Sequence, residues 1–284
     1  MFKGMGKRII RARKAAGKTR IELAAALGVD ERTMIKYESD QLFITDRVLI
    51  DMSDFLNVHP EYFFRLVQVD IGDLEYNNSF NLSSRELEQI IEKITEKAER
   101  IFEVATILKT DPVPEFIAPA VAPSLIASLE DAKSAALSLA REWGIVPGQN
   151  TIHLIESHGI LVFSLRGVTT KNKGLSTTIN GFPVIAAHGR KFKQQQNAIA
   201  YELGRIALKG KIRGLGEEEV YNAFADALTP RDPEDWEEIP ELDQSYLLEK
   251  LTMRAFEEDR IPSSIAARLL GMSAFDFQEL LEKS

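Results

Sequence analysis

The chain has 284 residues, of which 44% are hydrophobic, 27% charged and 8% aromatic, and these values exclude a disordered, collagenous or membrane-embedded chain. It has no cysteine, so disulfides, Cys-ligated metals and thiol catalysis are excluded. No apolar run approaches the roughly 18 residues that span a bilayer. Met1 to Arg8 lacks the apolar core of a secretion signal, so a cytoplasmic protein is expected. The net charge of −8 is unevenly placed: residues 1–66 hold 12 Lys and Arg against 9 Asp and Glu, and the rest hold 23 against 34. The first 20 residues carry eight basic side chains and no acidic one, which fits nucleic-acid contact through one end as well as a solvated helix face.

The pattern beside that charge favours the first reading. Ile9, Ile10 and Ala12 alternate with Arg8, Arg11, Arg13 and Lys14, as on a short basic amphipathic helix ending near Gly17. Thr19 then caps a second helix, with Glu22 completing a capping box and Ile21, Leu23, Ala24 and Leu27 on its apolar side. Gly28-Val29 makes the turn, and Asp30 caps a third helix that runs through Glu38. Two short helices around a glycine turn are the layout of a helix-turn-helix. A helix from Asp46 to Leu56 and the segment Pro60 to Phe64 complete a five-helix domain over residues 1–66.

Thr19, Glu22-Leu23-Ala24, Leu27-Gly28-Val29, Thr33-Met34, Tyr37-Glu38, Leu49 and Asn57-Val58 resemble the Cro/repressor-type (XRE) helix-turn-helix family over about residues 6–64. The resemblance implies a dimeric, sequence-specific binder of double-stranded operator DNA whose helix 30–38 lies in the major groove. Glu31, Arg32, Thr33 and Lys36 are then the base readers: Arg32 suits guanine, and Glu31 suits a cytosine amino group. Arg20 stands where relatives touch backbone phosphate. The loop Ser39 to Phe43 departs from the family in lacking glycine and basic residues.

Residues 67–82 read as a connector. Ser83 and Glu86 form a second capping box, with Leu82 and Leu87 as a hydrophobic staple, opening an amphipathic helix over 83–110. Leu87, Ile91, Ile94, Ala98, Ile101, Ala105 and Leu108 follow steps of four and three, a coiled-coil-like seam that serves either a parallel dimer or packing on its own chain. Paired half-sites favour the homodimer. Pro112, Pro114, Pro119 and Pro123 make residues 111–124 a semi-rigid linker and a domain boundary.

Residues 125–235 read as helices and a small sheet. A helix from Leu125 to Trp143 is followed by a short one capped by Asn150, a strand at Ile160 to Phe163, two strands around Asn180-Gly181, and a helix that buries Ile199, Leu203, Ile206 and Ala207. That order, with Ala200 to Arg205, resembles the ImmA/IrrE family of zinc metallopeptidases, which implies a zincin-like α+β domain. The family's helix carries His-Glu-x-x-His, whose two histidines sit one turn apart and share a zinc while the glutamate acts as base. Tyr201 and Arg205 stand at the histidine positions, only Glu202 is retained, and Glu219 matches the acidic third ligand. A permanent cation at a ligand position repels a divalent metal. The resemblance therefore implies a catalytically inactive domain with no cofactor and no metal, in which Glu202 or Glu219 pairs with Arg205. His59, His153, His158 and His188 are not spaced to rebuild a metal site.

A basic block over 190–213 lies next to an acidic one over 217–243; they are either solvated or mutually paired surfaces, or the basic block binds an anionic ligand or nucleic acid, and the C-terminal domain is a place for a small anionic ligand or protein partner. Residues 236–284 end in a second helix-turn-helix-like segment, with Ser263 as a cap and Gly271-Met272-Ser273 as the turn. The expected protein is mainly α with a small α+β part, a transcriptional regulator and a repressor with a pseudopeptidase sensor domain. The alternatives are an active zinc peptidase that cleaves a repressor and the antitoxin of a toxin pair.

Overall fold

In the computed structural model the described residues are 5–64, 69–76, 83–165, 174–188, 192–229 and 246–283. The expected staple at Leu82, the bases Arg190 and Lys191, and the acidic run beyond residue 229 lie outside them. The chain forms two compact units, Met1–Gln68 with Leu82–Glu96, and Val69–Asn81 with Lys97–Ser284.

The first unit holds helices α1 (Met5–Ala15), α2 (Arg20–Ala26), α3 (Glu31–Glu38) and α4 (Asp46–Leu56), a 3-10 turn (Pro60–Phe64) and the start of α5 (Ser84–Leu108). The expected fifth helix of the domain is thus the 3-10 turn. Local chemistry sets the helix starts. The Thr19 hydroxyl accepts from the Glu22 amide while the Glu22 carboxylate accepts from the Thr19 amide at 2.6 Å, and Asp30 accepts from the Thr33 amide at 2.7 Å. Ile9, Leu23, Met34, Met52 and Phe63 meet in the core. Ile21, expected on that apolar side, is 64% exposed, because seven-residue α2 buries only Leu23 and Ala24.

Helix α1 reaches α3 at Gly6, where a Cβ would run into the carbonyl of Glu38, so only glycine allows the approach. The Gly6 amide donates to Asp40 Oδ1 at 2.6 Å. Ser83 and Glu86 form the predicted capping box of α5, and Lys14 and Arg11 of α1 pair with Glu88 and Glu92 on it.

The second unit is built on a four-stranded sheet of order β1-β3-β4-β2, comprising β1 (Glu75–Tyr76), β2 (Leu161–Ser164), β3 (Gly174–Ile179) and β4 (Phe182–Ala187). β3 and β4 form the expected hairpin, with Asn180 and Gly181 both at positive φ, the geometry that matches strand twist. β2 runs parallel to β4. Helices α6 (Leu129–Trp143), α8 (Phe192–Leu208) and α9 (Glu217–Leu228) pack Leu139, Trp143, Leu203 and Phe224 against Val162 and Ile185 of the sheet. α7 (Ile152–Ser157), α10 (Tyr246–Glu257), α11 (Ser263–Leu270) and α12 (Ala274–Lys283) complete the unit.

Several expectations change. The stretch expected as a connector, 67–82, supplies β1, which pairs antiparallel with β3. The proline-rich segment is no boundary: Val113 and Val121 are buried, Phe116 packs on the core, and the division between units falls within α5 at Glu96. The α5 stripe is occupied within this chain, with Ile94, Ala98, Ile101 and Ala105 at 2% exposure or less. From Ile94 onward it is therefore not open as a dimer seam, while Leu87 and Ile91 are half-buried. Pro262, not Ser263, is the N-cap of α11 and offers no side-chain bond, whereas Ser273 and Asp276 form the capping pair of α12. Among the described residues no helix is long and apolar enough to cross a membrane.

Candidate nucleic-acid interface and the polar cluster on α8

On α3, burial separates two faces. Met34, Tyr37 and Glu38 point into the core, while Glu31, Arg32 and Lys36 are exposed and Thr33 is half-buried. Thr33 is engaged at the helix start: its hydroxyl and amide hold the Asp30 carboxyl below its ordinary value. The four residues expected to read bases thus lie along the first two turns, with three side chains directed to solvent.

Glu38 is the feature that sequence reading passed over. It is 6% exposed and clamps two arginines, accepting from Arg13 Nε at 2.6 Å and from Arg20 Nε at 2.7 Å. Arg20, the expected phosphate contact, is therefore fixed to the C-terminal end of the reading helix. No described residue partners its Nη groups. A guanidinium held on one edge presents the other edge in a set direction, which suits bidentate contact with a phosphate. The glycine missing from the following loop is replaced in conformation by Asp40, at φ 55. The signal was present, since Met34, Tyr37 and Glu38 share a three-and-four spacing that places Glu38 on the buried face.

On α8 the structure brings Tyr201, Glu202 and Arg205 together. Glu202 is 1% exposed and accepts from Arg205 Nε at 2.9 Å and from the Ser176 hydroxyl of β3 at 3.0 Å. The Arg205 guanidinium lies over the rings of Tyr201 and Tyr221, 5.5 and 5.2 Å from their centroids. Glu219 does not join them. It is exposed on the first turn of α9 and folds back toward Gly216, while Tyr221, two residues on, faces the cluster. Helix geometry gives the reason, because residues two apart point in directions about 200° apart. Ser176 and Tyr221 carried no local signal, since each reaches the cluster only through tertiary packing.

Burial pushes the Glu202 carboxyl up to about 7, against the pull of Arg205 and of the Ser176 hydroxyl. The folded protein thus binds a proton at Glu202 that the unfolded chain releases above its ordinary value of 4.5. The Glu202 contribution to stability therefore falls as pH rises from about 4.5 to about 7. Glu202→Gln is expected to flatten the thermal-stability profile across that window. An unchanged slope in the variant would count against the assignment.

These residues do not fit a zinc ion. The positions expected to hold the two histidine ligands carry a phenol and a guanidinium, and the guanidinium is already bonded to the Glu202 carboxylate. Beside the cluster a cavity of about 390 Å³ is lined by Arg205, Lys209, Glu217 and Tyr221, with Lys209 paired to Glu75 at 2.6 Å. His153 and His158 are separately engaged, His153 against the ring of Tyr246 and His158 stacked on Trp143.

A protein-family model described as Helix-turn-helix matches residues 9–63, the stretch from α1 through the 3-10 turn. The amino-terminal module is a helix-turn-helix of the Cro/repressor type, the DNA-binding part of a transcription regulator. No curated protein and no solved structure matches the chain.

Proposed function

We propose that this chain is a sequence-specific DNA-binding transcription regulator, a repressor in its simplest form, that reads duplex operator DNA through α3. The observation that carries this is the division of α3 into a core face and a solvent face bearing Glu31, Arg32 and Lys36, with Arg20 fixed beside it by Glu38. Two copies on paired half-sites would meet through a surface other than the part of the α5 stripe from Ile94 onward, which is already buried. The test is binding of the full chain to duplex DNA across a salt series. Retention that weakens steeply with salt is expected, because each phosphate contact releases counterions. A folded chain that retains no duplex at low salt would overturn the reading.

The second unit serves as a sensor or partner platform, with a peptidase-like fold whose ligand positions have lost metal chemistry. Arg205 and Glu202 form an internal ion pair where a metal and its base would act. Metal content by mass spectrometry, after dialysis against trace zinc, is expected to stay near background. Near-stoichiometric zinc would instead support an active peptidase.

A further inference from the structure

The second unit contains a cavity of about 460 Å³ away from the α8 cluster, between the proline-rich segment, α7 and α10. That size lies within the range of small-molecule sites. Glu156 of α7 lines it, is 4% exposed, and has no hydrogen-bond partner on either carboxylate oxygen among the described residues. The Val162 backbone N–H bears on it and favours the ionised form. A buried carboxyl with neither oxygen satisfied is costly, and what its ionised form lacks is a pair of donors. The other charged residues are placed around the same space: Lys250 and Arg254 one turn apart on α10, and Asp111 and Glu115 on the opposite segment. Arg254 is tethered by its Nε to Glu258 at 2.7 Å.

We propose that this cavity binds a small guanidinium compound, its planar N–H pair bonded to Glu156 and any carboxylate it carries held by Lys250. A guanidinium supplies two parallel donors, the geometry that satisfies both oxygens of one carboxylate. In the free protein both oxygens are buried beneath the cavity wall, so the proposed bond requires the Glu156 side chain to turn toward the space that the residue lines. His153 and Tyr246, 6.1 Å apart in an edge arrangement, line the same cavity and supply aromatic surface suited to a planar cation. Asp111 and Glu115 suit an α-ammonium. The site deepens the sensor reading by naming a ligand class, but its test measures binding alone and so stands or falls apart from DNA recognition.

Binding is linked to protons. Burial pushes the Glu156 carboxyl up to about 8, against the pull of the Val162 backbone amide and then of Lys250. The other charged or titratable groups facing it are Arg254, Asp111, Glu115, His153 and Tyr246. A bound guanidinium favours the ionised form, so binding at pH 7 expels a proton and tightens as pH rises toward 8.

The experiment is isothermal titration of the full chain with L-arginine and with agmatine, which shares the guanidinium and lacks the carboxylate. Citrulline, with a neutral ureido group, is the control. Saturable binding of both guanidinium probes below about 10 mM is expected, with citrulline at least about tenfold weaker and heats that vary with the buffer's ionisation enthalpy. Glu156→Gln, checked for folding by circular dichroism, is expected to weaken both probes by about tenfold or more. Lys250→Met is expected to weaken arginine while leaving agmatine no weaker. No saturable binding of either guanidinium probe, citrulline binding as tight as arginine, or undiminished binding in folded Glu156→Gln would overturn the proposal. Equal loss of both probes in Lys250→Met would overturn the role given to Lys250.

Discussion

Glu38→Ala is expected to lower the stability of the amino-terminal unit by about 3 kcal/mol, since removing one partner of a buried ion pair typically costs about 3–5 kcal/mol. The lower end applies because Arg20, with its side chain 37% exposed, can recover water, whereas Arg13, at 11%, largely cannot. In a unit of this size the loss corresponds to a fall in melting temperature of roughly 10 °C or more. The same change frees Arg20 from α3, so affinity for DNA should fall on every sequence alike. Glu38→Gln keeps the volume and one acceptor and should restore part of both losses. Differential scanning calorimetry of the full chain checks the first effect; a shift below about 2 °C would show that the clamp contributes little.

Arg32 and Arg20 should fail in different ways. Arg32 stands exposed in the first turn of α3, where a guanidinium meets the O6 and N7 edge of guanine, a contact that discriminates by about 1–3 kcal/mol. Arg32→Ala is therefore expected to lose about tenfold or more on the preferred sequence and little on unrelated DNA. Arg20→Ala removes a phosphate contact and should weaken all duplexes together, lowering the salt slope by about 1. Titrations of both variants against preferred and scrambled duplexes at several salt concentrations separate the two. Equal losses on both duplexes in Arg32→Ala would remove α3 as the reading helix.

The parts of the fold that were legible are those set by neighbours in sequence. Thr19 with Glu22, Ser83 with Glu86, and Asn180 with Gly181 each satisfy or shape backbone within a few residues, and each forms as expected. What was not legible depends on partners far along the chain. The β1 strand is two residues long and exists through its pairing with β3 about 100 residues later, so no periodicity announces it. The a/d stripe of α5 fits a dimer seam and an intrachain core equally well, and only the surrounding elements decide between them. Proline content suggested a free linker, but Val113, Phe116 and Val121 tie that segment to the second unit.

The two candidate sites divide along the same line. Glu31, Arg32 and Lys36 were found from the turn and cap that place them, because a short helix fixes its own faces. At the α8 cluster the helix supplied Tyr201, Glu202 and Arg205 at readable spacing, yet the partners from other elements were misassigned. Tyr221 stands where Glu219 was expected, and Ser176 arrives from the sheet. The Glu156 cavity was invisible in the sequence, since its walls come from α7, α10 and the proline-rich segment.

The central claim is that α3 reads base sequence, and selection from a library of randomised duplexes, run in parallel with the full wild-type chain and Arg32→Ala, tests it most directly. A discrete enriched motif is expected for the wild type and, for the variant, loss of preference at a guanine within that motif. The same motif enriched by both proteins, or no motif enriched by a folded wild-type chain, would contradict it.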